Sequence, residues 1–321
     1  MKLPNRIAED LSLIDLYDLS LEQRTGCYVL HEEELTVIET SASPSISHLI
    51  SGLEKLHIDL NEVRHIIVTH IHLDHAGGAG LLLKKCPNAR ILVHSKGARH
   101  LENPTRLIEG AKAVYGKRFK ELFEPILPIP EERLVILKDY DKIKIGQNRV
   151  LTFIDTPGHA KHHFSIHDSK TNGMFVGDTL GVYYPQLDVE VYLPSTSPNQ
   201  FDPDDMLASA DKIMSFHPSL IYFGHYGQSN NPDEVIRQLT TWLSVFLRIT
   251  EEVTSQEQKN DERSEHLFKA LLSYVQAALF KQGVPLDHPV YQYIKMDLHV
   301  SALGLLDYVD RKKSKNHLGG S

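Results

Sequence analysis

The chain has 321 residues, 41% of them hydrophobic and 24% charged, which is typical of a globular protein with a full core. Its formal net charge of −8 argues against a nucleic-acid partner, because phosphate binding depends on clustered lysine and arginine. The sequence has no apolar run long enough to span a membrane and no apolar segment after Met1 of the kind that directs secretion. Cys27 and Cys86 alone cannot form a disulfide framework, so we expect a cytoplasmic protein.

The first two thirds of the sequence predict short strands that alternate with helices. Two β-like runs, residues 27–30 and 35–38, predict a hairpin, and apolar residues recur at helical spacing over 45–56. Further strands are predicted at 66–68, 91–93, 134–137, 150–154, 164–166, 174–176 and 220–223. Residues 94–132 have an irregular helical pattern broken by prolines, which we interpret as a helical insertion that forms a lid over one face.

The sequence changes in character after Pro232. Apolar residues recur at helical spacing over 235–247 and again over 267–279, and a third helix is predicted over 289–310. We therefore predict an α+β domain over residues 1–232 and a helical extension over residues 233–321. The apolar stripes of these helices are expected to pack on the core and are candidates for a homodimer contact.

A run of histidines and one aspartate follows the strand predicted at 66–68. It reads His70-x-His72-x-Asp74-His75, and the first two imidazoles point the same way because side chains alternate along a strand. His70 and His72 can therefore share one metal ion. Asp74 and His75 lie where the chain turns, and they can bind a second ion beside the first. Imidazole and carboxylate ligands suit zinc and also iron or manganese, so the spacing predicts a metal site.

The segment 69–78 resembles the signature of the metallo-β-lactamase superfamily, and further motifs of that family follow in the family's order. Residues 156–159 (Thr-Pro-Gly-His) resemble its third motif, 175–178 (Phe-Val-Gly-Asp) its fourth and 223–225 (Phe-Gly-His) its fifth. The resemblance covers roughly residues 24–226. It implies an αββα sandwich of class α+β that binds two divalent metal ions, with zinc expected and iron or manganese as alternatives.

The resemblance also implies a role for each motif residue. The implied ligands are His70, His72 and His159 at the first site, Asp74, His75 and His225 at the second, and Asp178 shared by both. A hydroxide that bridges the metals would attack the substrate, and Asp74 is the implied catalytic residue, which orients the hydroxide and passes a proton to the leaving group. Glu39 and His163 are expected to contact the ligands rather than the metals.

Departures from the patterns of individual subfamilies narrow the reaction. True β-lactamases with two zinc ions typically have Cys where Asp178 stands, and the flavodiiron branch has Glu where His72 stands. The nucleases of the superfamily carry basic surfaces and additional domains, neither of which is evident here. Thioesterases similar to glyoxalase II resemble this chain in the core motifs and in having a helical C-terminal part.

We therefore expect a hydrolase that cleaves an ester, lactone or thioester bond of a small molecule. Tyr183, Tyr184 and Tyr192 lie in a predicted loop, residues 182–203, and either contact the substrate or pack against the C-terminal helices. Three alternative functions stay open: a mononuclear iron dioxygenase of the persulfide type that uses only the first site, a phosphodiesterase, and a non-catalytic metal-binding module.

Overall fold

Two mixed β-sheets hold most of the strands in the computed structural model, which describes residues 3–255 and 260–318. Seven strands lie side by side in chain order in the first sheet: β1 (Asn5–Ala8), β2 (Leu11–Asp15), β3 (Gly26–Leu30), β4 (Thr36–Ile38), β5 (His65–Ile67), β6 (Arg90–His94) and β7 (Leu134–Leu137). Strands β1 to β4 are antiparallel neighbours, whereas β4 to β7 are parallel neighbours. The carboxyl ends of β4 to β7 therefore meet at one edge of the sheet.

The second sheet begins with four antiparallel strands: β8 (Lys142–Gly146), β9 (Arg149–Asp155), β10 (Phe164–Asp168) and β11 (Gly173–Phe175). A separate hairpin of β12 (Val182–Tyr183) and β13 (Tyr192–Leu193) follows. The second sheet is completed by β14 (Leu220–Tyr222), which is parallel to β11, and by β15 (Gln228–Ser229) at its edge. Each strand predicted from the sequence is present within two residues of its predicted bounds.

Side chains of the first sheet alternate between its two faces, as the pleat of a strand requires. In β3, Cys27 and Val29 pack into an apolar cluster with Leu49, a residue of the following helix. Tyr28, between them in sequence, belongs instead to the cluster that contains Phe153 of the second sheet. The first sheet is therefore covered by helices on one face and by the second sheet on the other, and the predicted α+β class is confirmed.

Six helices connect the strands of the first sheet: α1 (Ile46–Lys55), α2 (Leu73–Ala76), α3 (Ala79–Lys85), α4 (Ala98–Glu102), α5 (Thr105–Tyr115) and α6 (Phe119–Phe123). The last three lie within the predicted insertion, residues 94–132. Phe119 and Phe123 of α6 pack against Leu73 and Ala42 in a small apolar cluster. The insertion is thus helical and anchored beside the histidine run, while its function as a lid stays a prediction.

Four longer helices complete the described chain: α7 (Pro203–Met214), α8 (Pro232–Thr254), α9 (Asn260–Lys281) and α10 (Tyr291–Leu318). The last three are the helices predicted after Pro232. Over the described residues, none of the helices has the length and apolar content that crossing a bilayer requires.

The chain divides into two compact units. Unit 1 consists of Met1–Thr156, His162–Gly177 and Lys212–Pro232, and unit 2 consists of Pro157–Lys161, Asp178–Asp211 and Asp233–Ser321. Both sheets belong to unit 1, whereas the β12–β13 hairpin belongs to unit 2. The predicted division into a domain over residues 1–232 and a helical extension over residues 233–321 stays a prediction.

Both cysteines are buried free thiols, and we expect them to be unreactive in the folded protein. Burial raises the pKa of Cys86 to about 11, an effect that the charge of Arg133 partly offsets. Burial raises the pKa of Cys27 even more than that of Cys86. At pH 8 only about one Cys86 in a thousand is then a thiolate, so native protein should react with a thiol reagent at least ~100-fold more slowly than unfolded protein. The absorbance of a chromogenic disulfide reagent measures this rate, and fast labelling of one thiol per folded chain would contradict the expectation.

Candidate metal centre

The histidine run begins where β5 ends, at the edge to which the parallel strands point. The chain passes through His70 and His72 and enters α2, which holds Asp74 and His75. Leu73, which lies between His72 and Asp74 in sequence, is buried in the apolar cluster that includes Phe119 and Phe123 of α6. This packing anchors the short helix that carries two of the predicted ligands.

Asp74, His75 and His225 form a cluster in unit 1, and each offers a ligand atom within 4.8 Å of the others. Oδ2 of Asp74 lies 3.9 Å from Nε2 of His75 and 3.8 Å from Nε2 of His225. Bonds of about 2.1 Å to one tetrahedral cation place its ligand atoms roughly 3.4 Å apart, close to these separations. The cluster therefore has the chemistry and the approximate spacing of a cation site.

Thr40 and Glu39, both in unit 1, fix the backbone and the ring of His75. Its carbonyl oxygen accepts hydrogen bonds from the backbone nitrogen (3.0 Å) and the hydroxyl (2.8 Å) of Thr40. Its Nδ1 lies 3.3 Å from Oε2 of Glu39, whose other oxygen accepts hydrogen bonds from the backbone and the hydroxyl of Thr69. A carboxylate at Nδ1 leaves Nε2 directed at the cluster, as in metal-binding histidines. Glu39 thus lies beside His75, one of the predicted ligands.

His225 is oriented by a loop that no sequence motif marks. Its Nδ1 donates to the carbonyl oxygen of Arg24 at 3.2 Å. Arg24 lies at the end of the loop between β2 and β3. The carboxylate of Asp15 closes this loop, because it accepts hydrogen bonds from the backbone nitrogens of Tyr17 (3.1 Å) and Gln23 (2.8 Å). Four non-glycine residues in this loop have left-handed backbone angles: Tyr17, Leu19, Ser20 and Gln23. Such angles cost about 1 kcal/mol or more each and concentrate at functional sites.

Asp18, in the same loop, is a buried carboxyl group beside the cluster. Burial raises its pKa to about 6; the guanidinium of Arg24 acts in the opposite direction, and the charge of Asp74 raises the pKa further. The folded-state pKa thus lies above the ordinary value of 3.8. Ionisation of Asp18 therefore costs the metal-free folded state stability, and this cost grows as the pH rises from 3.8 to about 6.

We expect metal-free Asp18→Asn protein to gain stability over the wild type as the pH rises. A pKa difference of about two units predicts an advantage of about 1 kcal/mol at pH 4.5 that grows to about 3 kcal/mol at pH 8. Denaturant unfolding with a chelator at both pH values measures it, with Asp59→Asn on the exposed surface as the control. An advantage that stays constant or shrinks with pH would show that the charge of Asp18 is not the cause.

His70 and His72 lie beside each other with a ring-centroid distance of 4.6 Å. The hydroxyl of Thr69 donates to Glu39, so it accepts from Nδ1 of His70 at 3.1 Å and leaves Nε2 of His70 as the candidate ligand atom. The ring of His163 lies 5.0 Å from that of His70, where a residue that contacts a ligand is expected.

His159 and Asp178 face each other within unit 2. Nε2 of His159 is 3.7 Å from Oδ2 of Asp178, and both side chains are buried. Ser195 contacts both: its carbonyl oxygen accepts from Nδ1 of His159 at 2.9 Å, and its hydroxyl donates to Oδ2 of Asp178 at 3.0 Å. No sequence motif marks Ser195.

The three tyrosines predicted as substrate contacts or packing residues also lie in unit 2. Tyr184 and Tyr192 are buried, and the hydroxyl of Tyr184 donates to Oδ2 of Asp297 in α10 at 2.7 Å. Tyr183 is partly exposed and stacks on Tyr192 at 5.2 Å. Packing against a C-terminal helix is thus observed for Tyr184, while contact with a substrate stays a prediction for all three.

The seven predicted ligands, five imidazoles and two carboxylates, fit divalent cations by their chemistry. Five of them belong to unit 1, and His159 and Asp178 belong to unit 2. Nδ1 of His225 and of His159 each donates to a carbonyl oxygen, which leaves Nε2 of both rings as the candidate ligand atom. The assignment of the seven residues to two metal ions stays a prediction.

Residues 24–225 match the model of a family described as the metallo-beta-lactamase superfamily. The metallo-beta-lactamase fold-containing protein ST1585 of Sulfurisphaera tokodaii is 29% identical over 204 residues, which cover 62% of this chain and 72% of that protein. A hydroxyacylglutathione hydrolase of Rhodopseudomonas palustris is 26% identical over 155 residues, or 48% of this chain and 47% of that protein.

Solved structures with the same fold include that of ST1585. It superposes with a TM-score of 0.66 at 21% identity and covers 94% of this chain and 99% of its own. The protein TTHA1429 of Thermus thermophilus superposes with a TM-score of 0.66 at 18% identity and covers 96% of this chain and 95% of its own. At these identities the likeness concerns the fold alone.

Proposed function

Since the chain belongs to the metallo-β-lactamase superfamily, we propose that it is a metal-dependent hydrolase with two metal ions that cleaves an ester, lactone or thioester bond of a small molecule. The observation that carries this proposal is the cluster of Asp74, His75 and His225. These three ligand atoms lie within 4.8 Å of one another and offer a second metal ion a site of its own. A persulfide-type dioxygenase keeps the same histidine signature but uses only the first site, so the number and kind of metal ions per chain separate the two reactions.

The proposed metal centre uses all seven motif residues. His70, His72 and His159 would hold one divalent cation, Asp74, His75 and His225 the other, and Asp178 would contact both. Such cations, when bound, lower the pKa of a water molecule and polarise a carbonyl oxygen. We expect zinc because its usual protein ligands include imidazole and carboxylate.

Asp74 is the residue we assign to proton transfer. A quarter of its side chain is exposed, whereas the side chains of His75 and His225 are almost fully buried. Among these three donors, Asp74 is therefore the one that solvent and a substrate can reach. Its carboxylate can orient a water molecule and carry a proton to the leaving group.

The substrate class rests on the comparisons and on the composition of the chain. A relative named hydroxyacylglutathione hydrolase supports hydrolysis of a small acyl compound. The net charge of −8 disfavours a nucleic-acid substrate. A cytoplasmic location and a homodimer contact through the C-terminal helices complete the proposal.

The test is to purify the protein without chelator, to count the metal ions per chain by mass spectrometry, and to screen lactones, thioesters and phosphodiesters. Two ions per chain and turnover of a lactone or thioester support the proposal. One iron per chain with oxygen consumption would overturn it in favour of the dioxygenase, and turnover of phosphodiesters alone would overturn the substrate class. The His70→Ala variant should lose the activity, whereas His299→Ala, at an exposed histidine, should keep it.

A further inference from the structure

Ser195 links two of the proposed metal ligands within unit 2. Its backbone carbonyl fixes His159 through a 2.9 Å hydrogen bond to Nδ1, and its hydroxyl fixes Asp178 through a 3.0 Å hydrogen bond to Oδ2. With both bonds in place, Nε2 of His159 and Oδ2 of Asp178 face each other at 3.7 Å. One residue therefore sets the orientation of an imidazole and a carboxylate together.

The segment around Ser195 is held by one face of α10. Residues of this face recur every three or four positions: Asp297, Ser301, Gly304, Asp307 and Arg311. The hydroxyl of Thr196 donates to the carbonyl oxygen of Ser301 at 2.9 Å, and the hydroxyl of Ser301 accepts from the backbone nitrogen of Thr196 at 3.5 Å. The bonds to Thr196 act directly beside Ser195.

The same face of α10 holds both sides of the segment. Arg311 donates to the carbonyl oxygen of Phe201 at 2.6 Å, and Asp307 accepts from the backbone nitrogen of Asn199 at 3.1 Å. Asp297 accepts from the hydroxyl of Tyr184, ahead of Ser195 in sequence, at 2.7 Å. The helix thus fixes residues 184–201 at several points along its length.

Gly304 marks the closest approach of α10 to this segment. A Cβ atom at this position would lie 2.5 Å from the carbonyl oxygen of Thr196, closer than real Cβ atoms come to backbone. Glycine is ordinarily unfavourable inside a helix, so alanine here would normally help the helix. At Gly304 the added methyl group instead pushes on the residue that follows Ser195.

We propose that Ser195 is a positioning residue of the metal centre and that α10 holds it in place through Ser301 and Gly304. This inference rests on the proposed function, in which His159 and Asp178 bind metal. It gives the C-terminal helix, which lies outside the family motifs, a role in metal binding through its contacts with residues 184–201. The protein uses its helical extension to keep two ligands aligned.

Two variants test the positioning role by different routes. Ser195→Ala removes the hydrogen bond to Asp178 and keeps the carbonyl that fixes His159, and Gly304→Ala displaces the segment while leaving Ser195 unchanged. Each should bind zinc about 10- to 100-fold more weakly than the wild type, as measured by competition with a chromophoric chelator. The visible absorption of the cobalt-substituted protein should also change, because it reports the ligand geometry. Ser314→Ala, at an exposed serine of the same helix, is the matched control.

The outcomes separate the inference from its premise. If the wild type binds no divalent metal, the proposed function itself fails. If the wild type binds zinc and both variants match its affinity and its cobalt spectrum, the positioning role is overturned. If both variants lose affinity and keep the circular dichroism spectrum of the wild type, while Ser314→Ala binds normally, the role is supported.

Discussion

Replacing Asp74 with asparagine is expected to lower kcat by about 10²- to 10⁴-fold, the usual contribution of a positioned acid or base. Asparagine keeps the shape of the side chain but cannot accept a proton at neutral pH. It also lacks the negative charge that faces Nε2 of His75 and of His225 at 3.9 and 3.8 Å. The measurement is kcat on the substrate that the screen identifies, together with the number of zinc ions per chain.

The two roles of Asp74, ligand and proton carrier, separate when zinc is added in excess. If saturating zinc restores two ions per chain and the rate stays low, Asp74 acts on the proton as proposed. If zinc restores the full rate, Asp74 is a ligand only. Asp204→Asn is the control, because Asp204 also lies in the first turn of a helix but outside the cluster, and it should leave kcat unchanged.

Most of the strands and the cluster of candidate ligand residues could be predicted because both leave a local mark on the sequence. A buried strand such as β5 is a short apolar run, and His70 to His75 are ligand residues placed directly after it. Six strands of the described chain were not predicted. Strands β1 and β8 are largely exposed or only partly buried, strands β12, β13 and β15 have two residues each, and the apolar run of the buried strand β2 is interrupted by Ser12. A strand that is short, exposed or interrupted by a polar residue thus gives too weak an apolar signal to be predicted.

Apart from Glu39 and His163, which the resemblance implies, the residues that support the predicted ligands could not be predicted from the sequence. Arg24 and Ser195 orient His225 and His159 through backbone carbonyl oxygens, which every residue has. Asp18 reaches the cluster through a loop with several left-handed residues, and no local pattern predicts such a path. The residue type of a predicted ligand can thus be read from the sequence. The orientation of its side chain cannot, because it depends on contacts that form only in the folded chain.

Replacing Arg149 with methionine is expected to destabilise the protein by about 3–5 kcal/mol, because it leaves a buried carboxylate without its main counterion. The side chain of Arg149 is fully buried in β9, and Nε and Nη2 donate to the two oxygens of Asp168 at 2.9 and 2.6 Å. Nη1 lies 3.3 Å from Oδ2 of Asp10 and 3.5 Å from Oε1 of Glu32. Burial lowers the pKa of Arg149, but these carboxylates raise it above the ordinary value, so the group stays charged.

Arg248→Met is the matched control, since Arg248 donates to Glu252 at the same 2.6 Å but on the exposed surface of α8. That pair is expected to contribute less than about 0.5 kcal/mol, because water screens it and two long side chains must be ordered. Urea unfolding measures both variants, and equal effects would show that burial does not decide the strength of the pair at Arg149. The double variant Arg149→Met with Asp168→Asn should recover part of the loss, because it removes the uncompensated charge rather than the packing.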